Sequence, residues 1–349
     1  MTKTVLAIDT SCDETAAAVV SERRVLSNVI YSQVLMHKEW GGVVPSIARR
    51  AHEERIDWVV MEAIKKSKLD ISGIDAIAVT YGPGLAIALE VGIKYALELS
   101  KKYQKPIVRV NHMEGHLYSP FVQNSKGNPK REFLFPYLGL LVSGGHTELV
   151  LFKDHLSYEI LGETVDDAAG EALDKAARML GFGYPGGPVI ERLAKQVEND
   201  DKYIFPRPMM KSGDLNFSFS GLKTALLYKV RKMEDNEKNK EIEYLASSFQ
   251  EAVFRTLVKK SEKAILETGV NRLLVGGGVA INQHLRHMMR ELVKKHKGAV
   301  YFPALKYLNY DNAAMIGVVG AIRAEKGIFV EDEKELDRVP RLSLLQSSM

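Results

Sequence analysis

The same order of predicted strands, turns and helices occurs twice in this sequence, and this repeat limits the folds that the chain can adopt. Apolar strands are predicted on either side of a polar tip within 5–20, and again within 137–152. A strand that runs into glycines and then into a helix is predicted at Gly82–Gly84, and again at Gly276–Gly278. The two halves share this order but hardly any residues. The repeat predicts a duplicated α/β fold of two similar lobes with a cleft between them.

The length of 349 residues is too great for one simple core and predicts two domains. A polar stretch at 123–131 marks the predicted boundary between them. We predict a first lobe at 1–130, completed by a C-terminal helix at 313–330, and a second lobe at 131–312. The tail at 331–349 is charged and then polar, and it is predicted to be partly disordered.

The composition is that of an ordinary globular protein, with 46% hydrophobic and 26% charged residues. The net charge of +4 permits an acidic partner such as nucleic acid but does not require one. Cys12 is the only cysteine, which excludes an intrachain disulfide and a cysteine-built zinc site and fits a reducing cytosol. No signal-peptide core precedes Val5 and no apolar run reaches membrane-spanning length, so we predict a cytoplasmic protein without membrane contact.

Two histidines stand four residues apart, at His112 and His116, a spacing that puts both side chains on one face of a helix. Neutral imidazole is the commonest metal ligand in proteins, so the pair would form half of a site. Asp311 lies far downstream in a predicted loop. A fold that brought Asp311 to the histidines would complete a two-His, one-carboxylate site with open positions for a substrate. Ordinary surface or capping histidines are the alternative on spacing alone.

The polar tip of the first predicted hairpin contains Asp9 and Asp13 among several hydroxyl residues. Hydroxyls and backbone N–H groups in such a tip can hold phosphate oxygens, and carboxylates can hold a metal or a water molecule. A solvated hairpin turn is the alternative. Asp174, on a helix predicted at 166–180, shares an acidic stripe with two other carboxylates, for which a solvated face is the default.

Seven motifs stand in one order along the chain, and together they are more specific than any one alone. The motifs are Asp9–Thr15, Asn111–His116, Leu141–Thr147, Asp166–Ala172, Tyr184–Pro188, Phe217–Thr224 and Asp311–Met315. In this arrangement the sequence closely resembles the TsaD family, the tRNA N6-adenosine threonylcarbamoyltransferases, in its bacterial form. The resemblance runs from about residue 4 to about residue 325.

The resemblance implies the duplicated α/β fold shared by actin, sugar kinases and Hsp70 ATPases, with a nucleotide cleft between the lobes. The implied reaction transfers the threonylcarbamoyl group of threonylcarbamoyl-AMP to N6 of adenosine 37, in tRNAs that read codons beginning with A. Its products are t6A and AMP. The implied partners are tRNA, a TsaB-like protein and a TsaE-like ATPase, with a TsaC or Sua-type enzyme supplying the donor.

The resemblance also implies site residues. His112, His116 and Asp311 match the family's metal ligands, and this donor set suits Fe(II) or Zn(II), with Mg(II) beside the nucleotide as a further option. The attacking nitrogen is a weak aromatic amine, so a general base is useful, and Asp9 or Asp13 is our hypothesis for that role. The residues that match the family's nucleotide contacts are Leu141, Val142, Ser143, Gly144, Gly145, Asp174, Gly187 and Asn282.

Elementary chemistry gives each part of the implied nucleotide site a role. Ser143 and the two glycines after it can donate hydrogen bonds to a phosphate. Asp174 can accept hydrogen bonds from ribose hydroxyls, and Asn282 can reach ribose or base from the helix that follows it. Glycines also let a backbone approach an adenine ring without side-chain obstruction. The glycines expected to do so are Gly276, Gly277 and Gly278.

A metalloprotease, a kinase or ATPase of the same fold, and a non-enzymatic scaffold are the other functions considered. In the zinc-protease motif H-E-x-x-H the base follows the first histidine directly, whereas Glu114 stands two residues after His112, about 200° around a helix. A small-molecule kinase would explain the hairpins and the glycine turns but not the two histidines with Asp311, and it stays as the alternative. A scaffold should have lost these ligands.

Overall fold

A computed structural model describes residues 2–210 and 212–348. These residues divide into two compact units. The first comprises residues up to 134, 155–157 and 303 onward, and the second comprises 135–154 and 158–302. Residues 303–312 therefore belong to the first unit, whereas the sequence-based division assigned them to the second lobe. Met1, Lys211 and Met349 fall within the predicted lobes and tail but lie outside the described residues.

Ten strands form two five-stranded sheets, one in each unit, among the residues described. The strands are β1 (Thr4–Asp9), β2 (Glu14–Ser21), β3 (Arg24–Ser32), β4 (Ala76–Gly82), β5 (Ile107–Asn111), β6 (Tyr137–Val142), β7 (Thr147–Asp154), β8 (Ser157–Glu163), β9 (Arg272–Gly276) and β10 (Ala299–Tyr301). The central strand β1 is apolar and buried from Val5 to Ile8, as expected of a strand with both faces covered.

The helices vary from one turn to 34 residues in length. They are α1 (Val34–Lys38), α2 (Pro45–Ser67), α3 (Ala86–Tyr103), α4 (His112–Tyr118), α5 (Ala169–Met179), α6 (Gly187–Gln196), α7 (Ser220–Arg231), α8 (Asp235–Thr268), α9 (Gln283–Lys295) and α10 (Ala313–Glu325). Within the described residues, no helix combines the length and the apolar character needed to cross a membrane.

The two sheets have the same topology. In the first, the order is β3-β2-β1-β4-β5, with β1 antiparallel to β2 and parallel to β4. In the second, read from its other edge, the order is β8-β7-β6-β9-β10, with β6 antiparallel to β7 and parallel to β9. Each strand thus has a counterpart in the other unit, which confirms the duplicated α/β architecture. The edge strands β3 and β8 were not predicted from the sequence.

Helix α10 packs very closely on the sheet of the first unit, and small residues make this possible. A Cβ atom on Gly317 would lie 2.5 Å from Cγ2 of Val20, and one on Gly320 would lie 2.5 Å from Cβ of Ala78. The helix begins at Ala313, so this packing also fixes the loop that precedes it. That loop contains Asp311.

The tail after α10 lies against the first unit, as far as the structure describes it. The Val339 amide donates to the carbonyl oxygen of Tyr81 at 2.8 Å, and Leu336 and Leu342 are part of the core of this unit. Single apolar residues separated by charged ones provide these contacts. Partial disorder was predicted from the composition of the tail, which does not reveal contacts made by single apolar residues.

Candidate functional site

Strand β5 leads directly into the short helix α4, which contains both histidines. The Asn111 side chain caps this helix by accepting a hydrogen bond from the Met113 amide at 2.8 Å. The His112 and His116 rings meet edge to face, with their centroids 4.8 Å apart. Both side chains are buried, His116 completely. The predicted placement on one helix face is therefore confirmed, and neither residue is an ordinary surface histidine.

The loop before α10 brings Asp311 to the two imidazole rings. Asn312 caps α10, because its side chain accepts a hydrogen bond from the Met315 amide at 3.2 Å. Oδ1 of Asp311 lies 3.2 Å from Nε2 of His112 and 3.4 Å from Nε2 of His116. One potential ligand atom from each residue lies within 4.8 Å of the others. Asp311 is also 24% exposed, so the cluster can be reached from solvent.

The other ring nitrogen of His112 faces the tip of the first hairpin. Its Nδ1 lies 3.1 Å from Oγ of Ser11 and 3.4 Å from Oδ2 of Asp9. Oδ1 of Asp9 accepts a hydrogen bond from the Ser11 amide at 3.2 Å. A carboxylate or hydroxyl on the far nitrogen is the usual arrangement behind a metal-ligating histidine, since it orients the ring.

The electrostatics of the cluster suit a cation. Burial would lower the pKa of His112, but the carboxylates of Asp311 and Asp9 raise that pKa well above its ordinary value. Burial would likewise raise the pKa of Asp311, yet the two histidines hold it well below its usual range. For His116, burial dominates and lowers the pKa, so its imidazole is neutral and able to bind a metal.

The residues present fit a divalent metal ion. Both ring nitrogens of His116 are buried without a hydrogen-bond partner among the described residues, although unpaired buried polar atoms are costly. One carboxylate oxygen shared between two imidazole nitrogens is the arrangement expected where an ion would connect all three. Two histidines and a carboxylate are a donor set for Fe(II) or Zn(II).

Asp13 lies at the same hairpin tip but has different contacts. Its carbonyl oxygen accepts a hydrogen bond from the Gln33 amide at 2.9 Å, and Oδ2 is buried without a partner among the described residues. Burial and the charge of Asp13 raise the pKa of the adjacent Glu14 carboxyl well above its ordinary value. The surroundings of Glu14 therefore favour its protonated form, within the same unit as the histidines.

The Gly82–Gly84 turn lies against this hairpin tip. The Leu85 amide, at the start of α3, donates to the carbonyl oxygen of Ser11 at 2.8 Å. A Cβ atom on Gly84 would lie 2.5 Å from the same oxygen. The glycine turn is thus a tight connection between β4 and α3 that supports the tip.

In the second unit, the loop that follows Leu141 and Val142 at the end of β6 leaves its glycines open. The Ser143 amide donates to the His146 carbonyl at 2.9 Å, and the His146 amide donates to Oγ of Ser143 at 3.1 Å. Gly144 and Gly145 are exposed, and no atom lies within 4 Å of a Cβ atom built on either. Their amides and the Ser143 hydroxyl proton are therefore accessible to a ligand.

Asp174 organises the loop that contains Gly187. Its Oδ1 accepts hydrogen bonds from the amides of Gly186 and Gly187, at 2.7 and 3.1 Å. Burial raises the pKa of Asp174 against the effect of these two bonds. A Cβ atom on Gly186 would lie 2.6 Å from Cβ of Ala177, whereas one on Gly187 would meet nothing within 4 Å. Asp174 is therefore partly buried rather than part of a solvated stripe.

Asn282 is largely occupied by contacts within its own unit. Its Oδ1 accepts from the amides of His284 and Leu285 at the start of α9, and its Nδ2 donates to Oε1 of Gln250 at 2.8 Å. One amide proton remains for a ligand. Gln250, in the middle of α8, was not singled out from the sequence, because a lone glutamine in a long helix gives no signal.

The three glycines at 276–278 do not act alike. Gly277 has a φ of +95°, and a Cβ atom there would lie 2.4 Å from the carbonyl oxygen of Val142. Glycine is therefore required at this position by the neighbouring strand end, whatever ligand binds nearby. Gly276 ends β9 and Gly278 begins a 3₁₀ turn. The structure places the turn beside the Ser143 loop, since both meet at Val142.

Comparison with known proteins identifies the family. The family model for TsaD, tRNA N6-adenosine threonylcarbamoyltransferase, matches residues 24–318. The chain belongs to the TsaD family. A tRNA N6-adenosine threonylcarbamoyltransferase of Thermosipho africanus is 47% identical over 97% of this chain and 99% of its own length. One from an Anaeromyxobacter species is 49% identical over 90% of this chain and 93% of its own.

A solved structure outside the TsaD family shows the same fold. HypF of T. kodakarensis has a TM-score of 0.63 over 93% of this chain, which corresponds to 48% of HypF, at 15% sequence identity. A likeness at this identity concerns the fold alone. It agrees with the paired sheets and confirms the fold that the resemblance to TsaD implied.

Ser11 belongs with the candidate metal centre of this TsaD chain, although sequence reasoning did not select it. It lies inside the first motif, between the two aspartates that were selected for their charge. A serine at a hairpin tip looks like a turn residue until the fold brings His112 beside it. The spacing to Asp9 was the available signal, since a residue two positions on can share a hydrogen-bonded turn.

Proposed function

We propose that this enzyme transfers the threonylcarbamoyl group of threonylcarbamoyl-AMP to N6 of adenosine 37, in tRNAs that read codons beginning with A, and releases AMP. The observation that carries the proposal is the meeting of His112, His116 and Asp311, which stand far apart in sequence, in a chain of the TsaD family. We further propose a cytoplasmic location and partners resembling TsaB and TsaE, on the strength of the family.

In this proposal His112, His116 and Asp311 hold one divalent metal, Fe(II) or Zn(II). When bound, the metal supplies Lewis acidity toward the carbonyl group of the donor. Ser11 and Asp9 hold Nδ1 of His112, which turns Nε2 toward Asp311. Because Asp9 is engaged in this way, its first role is to orient the ligand.

Proton removal from the attacking amine is assigned to the hairpin tip. Oδ2 of each aspartate is buried without a hydrogen-bond partner among the described residues, but Oδ2 of Asp9 faces Nδ1 of His112 at 3.4 Å, and Oδ1 of Asp9 accepts from the Ser11 amide. Between the two predicted bases, these contacts favour Asp13. The neighbouring Glu14, whose pKa is raised, favours its protonated form and so adds no second negative charge beside Asp13.

In the second unit, Leu141 to Gly145 and the residues around them are proposed to hold the AMP part of the donor. The amides of Gly144 and Gly145 and the hydroxyl of Ser143 would donate to the phosphate. Asp174 would accept from the ribose with the oxygen that Gly186 and Gly187 leave open. AMP is the leaving group, so these donors would also stabilise the charge that develops on its phosphate.

The proposal is tested by comparing the wild type with a His112→Ala/His116→Ala variant. Bound metal is measured by elemental analysis, and transfer is measured with threonylcarbamoyl-AMP, tRNA and the TsaB-like and TsaE-like proteins. We expect metal and transfer in the wild type and neither in the variant. A His287→Ala variant, which removes an exposed histidine on α9, should keep its metal. Transfer that persists without metal would contradict the role of the metal, and ATP-dependent phosphorylation of a small acceptor would contradict the reaction.

A further inference from the structure

Helix α9 concentrates positive charge at the surface of the second unit. Its 13 residues contain four arginines and lysines and one glutamate, whereas the formal charge of the entire 349-residue chain is only +4. Three of these cations are spaced by four residues, which places them on one face of the helix. We call them, with the lysine in the turn after the helix, the basic stripe: Arg286, Arg290, Lys294 and Lys297.

The stripe has little carboxylate to neutralise it. No ion pair is formed by Arg290, Lys294 or Lys297 with any residue in 2–210 or 212–348, and all three are exposed. The nearby Glu262 is already shared, at 2.6 Å from Nζ of Lys295 and 2.8 Å from Nζ of Lys259. These two lysines, with His296, hold the pKa of Glu262 at about 2. The charge of the stripe is therefore directed at solvent.

The arginines of the stripe are held in place by the protein. Nε of Arg286 donates to the carbonyl oxygen of Ala280 at 2.7 Å. The guanidinium groups of Arg286 and Arg290 lie over the Phe302 ring, 4.8 and 5.5 Å from its centroid. An arginine stacked on an aromatic ring loses less side-chain freedom when it binds, and its planar group can donate two hydrogen bonds to one phosphate.

The stripe starts at the predicted nucleotide site and leads away from it. Asn282 caps α9, and Ala280, which holds Arg286, lies in the turn that follows Gly277. From Asn282 to Lys294 the helix rises about 18 Å, with a cation about every 6 Å from Arg286 onward. An acceptor RNA whose reacting base reaches a donor bound at this turn would pass close to the start of the stripe.

We infer that the basic stripe of α9 is a docking surface for the phosphate backbone of the acceptor tRNA. The inference rests on the proposed function for the identity of the acceptor. An acidic protein would also be attracted by the charge. RNA is favoured because the stripe begins beside the proposed donor site, which the acceptor has to approach, and because stacked arginines suit phosphates.

The test measures tRNA binding by the full-length chain, using a transcript that reads an ANN codon, at KCl concentrations from about 50 to 300 mM. The variant is Arg290→Gln/Lys294→Gln/Lys297→Gln, which leaves Arg286 and its structural contact intact. The matched control is Lys65→Gln/Lys68→Gln/Lys102→Gln, which removes the same charge from exposed positions in the first unit. Thermal unfolding verifies that both variants are folded.

If the stripe contacts three phosphates, the slope of log K against log salt concentration should be smaller in magnitude by about 2 in the stripe variant. In the control variant the slope should stay unchanged. Affinity at about 150 mM salt should fall at least tenfold. Equal losses in both variants, or in neither, would overturn the inference. It would also be overturned if the stripe variant bound tRNA normally but lost binding to a TsaB-like or TsaE-like protein.

A transfer assay separates this inference from the proposed function. A wild type that binds tRNA through the stripe but transfers no threonylcarbamoyl group would contradict the proposed function alone. A wild type that transfers the group, with an unchanged KM for tRNA in the stripe variant, would contradict the docking surface alone.

Discussion

Arg323 forms a buried ion pair with both carboxylate oxygens of Glu114. Nη2 of Arg323 lies 2.9 Å from Oε1 and 3.0 Å from Oε2 of the carboxylate, and both side chains are almost completely buried. Glu114 stands between the two histidines on α4, and Arg323 is on α10, the helix that Asp311 precedes. The pair therefore ties together the two elements that supply the candidate metal ligands. It also occupies Glu114, which a metalloprotease would need as a base.

We predict that Arg323→Met destabilises the protein and weakens metal binding. The substitution leaves the buried Glu114 carboxylate without the charge of Arg323, and breaking a buried ion pair in this way typically costs about 3–5 kcal/mol. A Glu114→Gln/Arg323→Met double variant removes the buried charge and should recover much of the melting temperature. Metal affinity, measured with a competing chelator, should stay below that of the wild type. Full recovery of affinity in the double variant would show that the pair contributes only stability.

Asp9→Asn is predicted to reduce metal affinity about 10–100-fold, because an outer partner of a ligating histidine is lost. The negative charge of Asp9 near Nδ1 of His112 disappears, although the side-chain amide that replaces it can still accept the hydrogen bond from the Ser11 backbone. Chelator competition measures the change. Asp13→Asn is the control at the same hairpin tip and should keep its metal. If Asp9→Asn bound metal like the wild type but lost transfer, Asp9 would be the base after all.

Gly144→Ala and Gly277→Ala are predicted to have different effects on the melting temperature. Nothing lies within 4 Å of a Cβ atom at Gly144, so this variant should melt like the wild type. If the phosphate lies against Gly144, the added methyl group should hold it away from the amide, and AMP affinity measured by calorimetry should fall about tenfold, the effect of one charge-assisted hydrogen bond. At Gly277 the positive φ and the Val142 carbonyl leave no room, so a lower melting temperature is expected. Normal AMP binding by Gly144→Ala would show that the phosphate does not lie against this glycine.

Glu148 is predicted to make stability fall as pH rises through neutrality. Burial, and then the charge of Glu163, raise the pKa of Glu148 to about 7, and its Oε2 has no hydrogen-bond partner among the described residues. The folded state therefore binds a proton that the unfolded state releases above about pH 4.5. The stabilisation that comes from this proton is fully present below about pH 4.5, and it is lost as the pH rises through 7.

A Glu148→Gln variant tests this pH dependence, since glutamine carries no charge to bury. It should be more stable than the wild type at pH 8, by up to about 2–3 kcal/mol, and close to it at pH 4.5. Scanning calorimetry at both values measures the difference. Glu159→Gln, on the exposed side of β8, should show no such dependence. A pH-independent difference between Glu148→Gln and the wild type would contradict the raised pKa.

The parts of the fold that could be predicted were those whose pattern is local. Buried strands such as β1 and β6 are short apolar runs between turns, and they stand out in any window. The edge strands β3 and β8 alternate only loosely and mix polar with apolar residues, since one side of each strand is unpaired. Helix α8 begins at Asp235 within a charged run, and because its first turns are exposed, no apolar pattern marks its start.

The candidate site shows the same division. His112, His116 and Asp311 could be named because their residue types signal metal chemistry wherever they occur. Arg323 could not, because an arginine on an apolar helix gives no indication of its partner until α10 is packed beside α4. Charge predicted the wrong surroundings for Asp174, whose contacts with two glycine amides depend on a loop about a dozen positions away.

The cluster joins residues 199 positions apart in the chain. During synthesis, both histidines and the whole second unit leave the ribosome before Asp311 does. A chain shortened before that residue would contain two sheets and the proposed nucleotide loops, yet only two of the three ligands. The loop before α10 therefore supplies the last of the three candidate ligands, and the complete centre can form only once translation has passed Asp311.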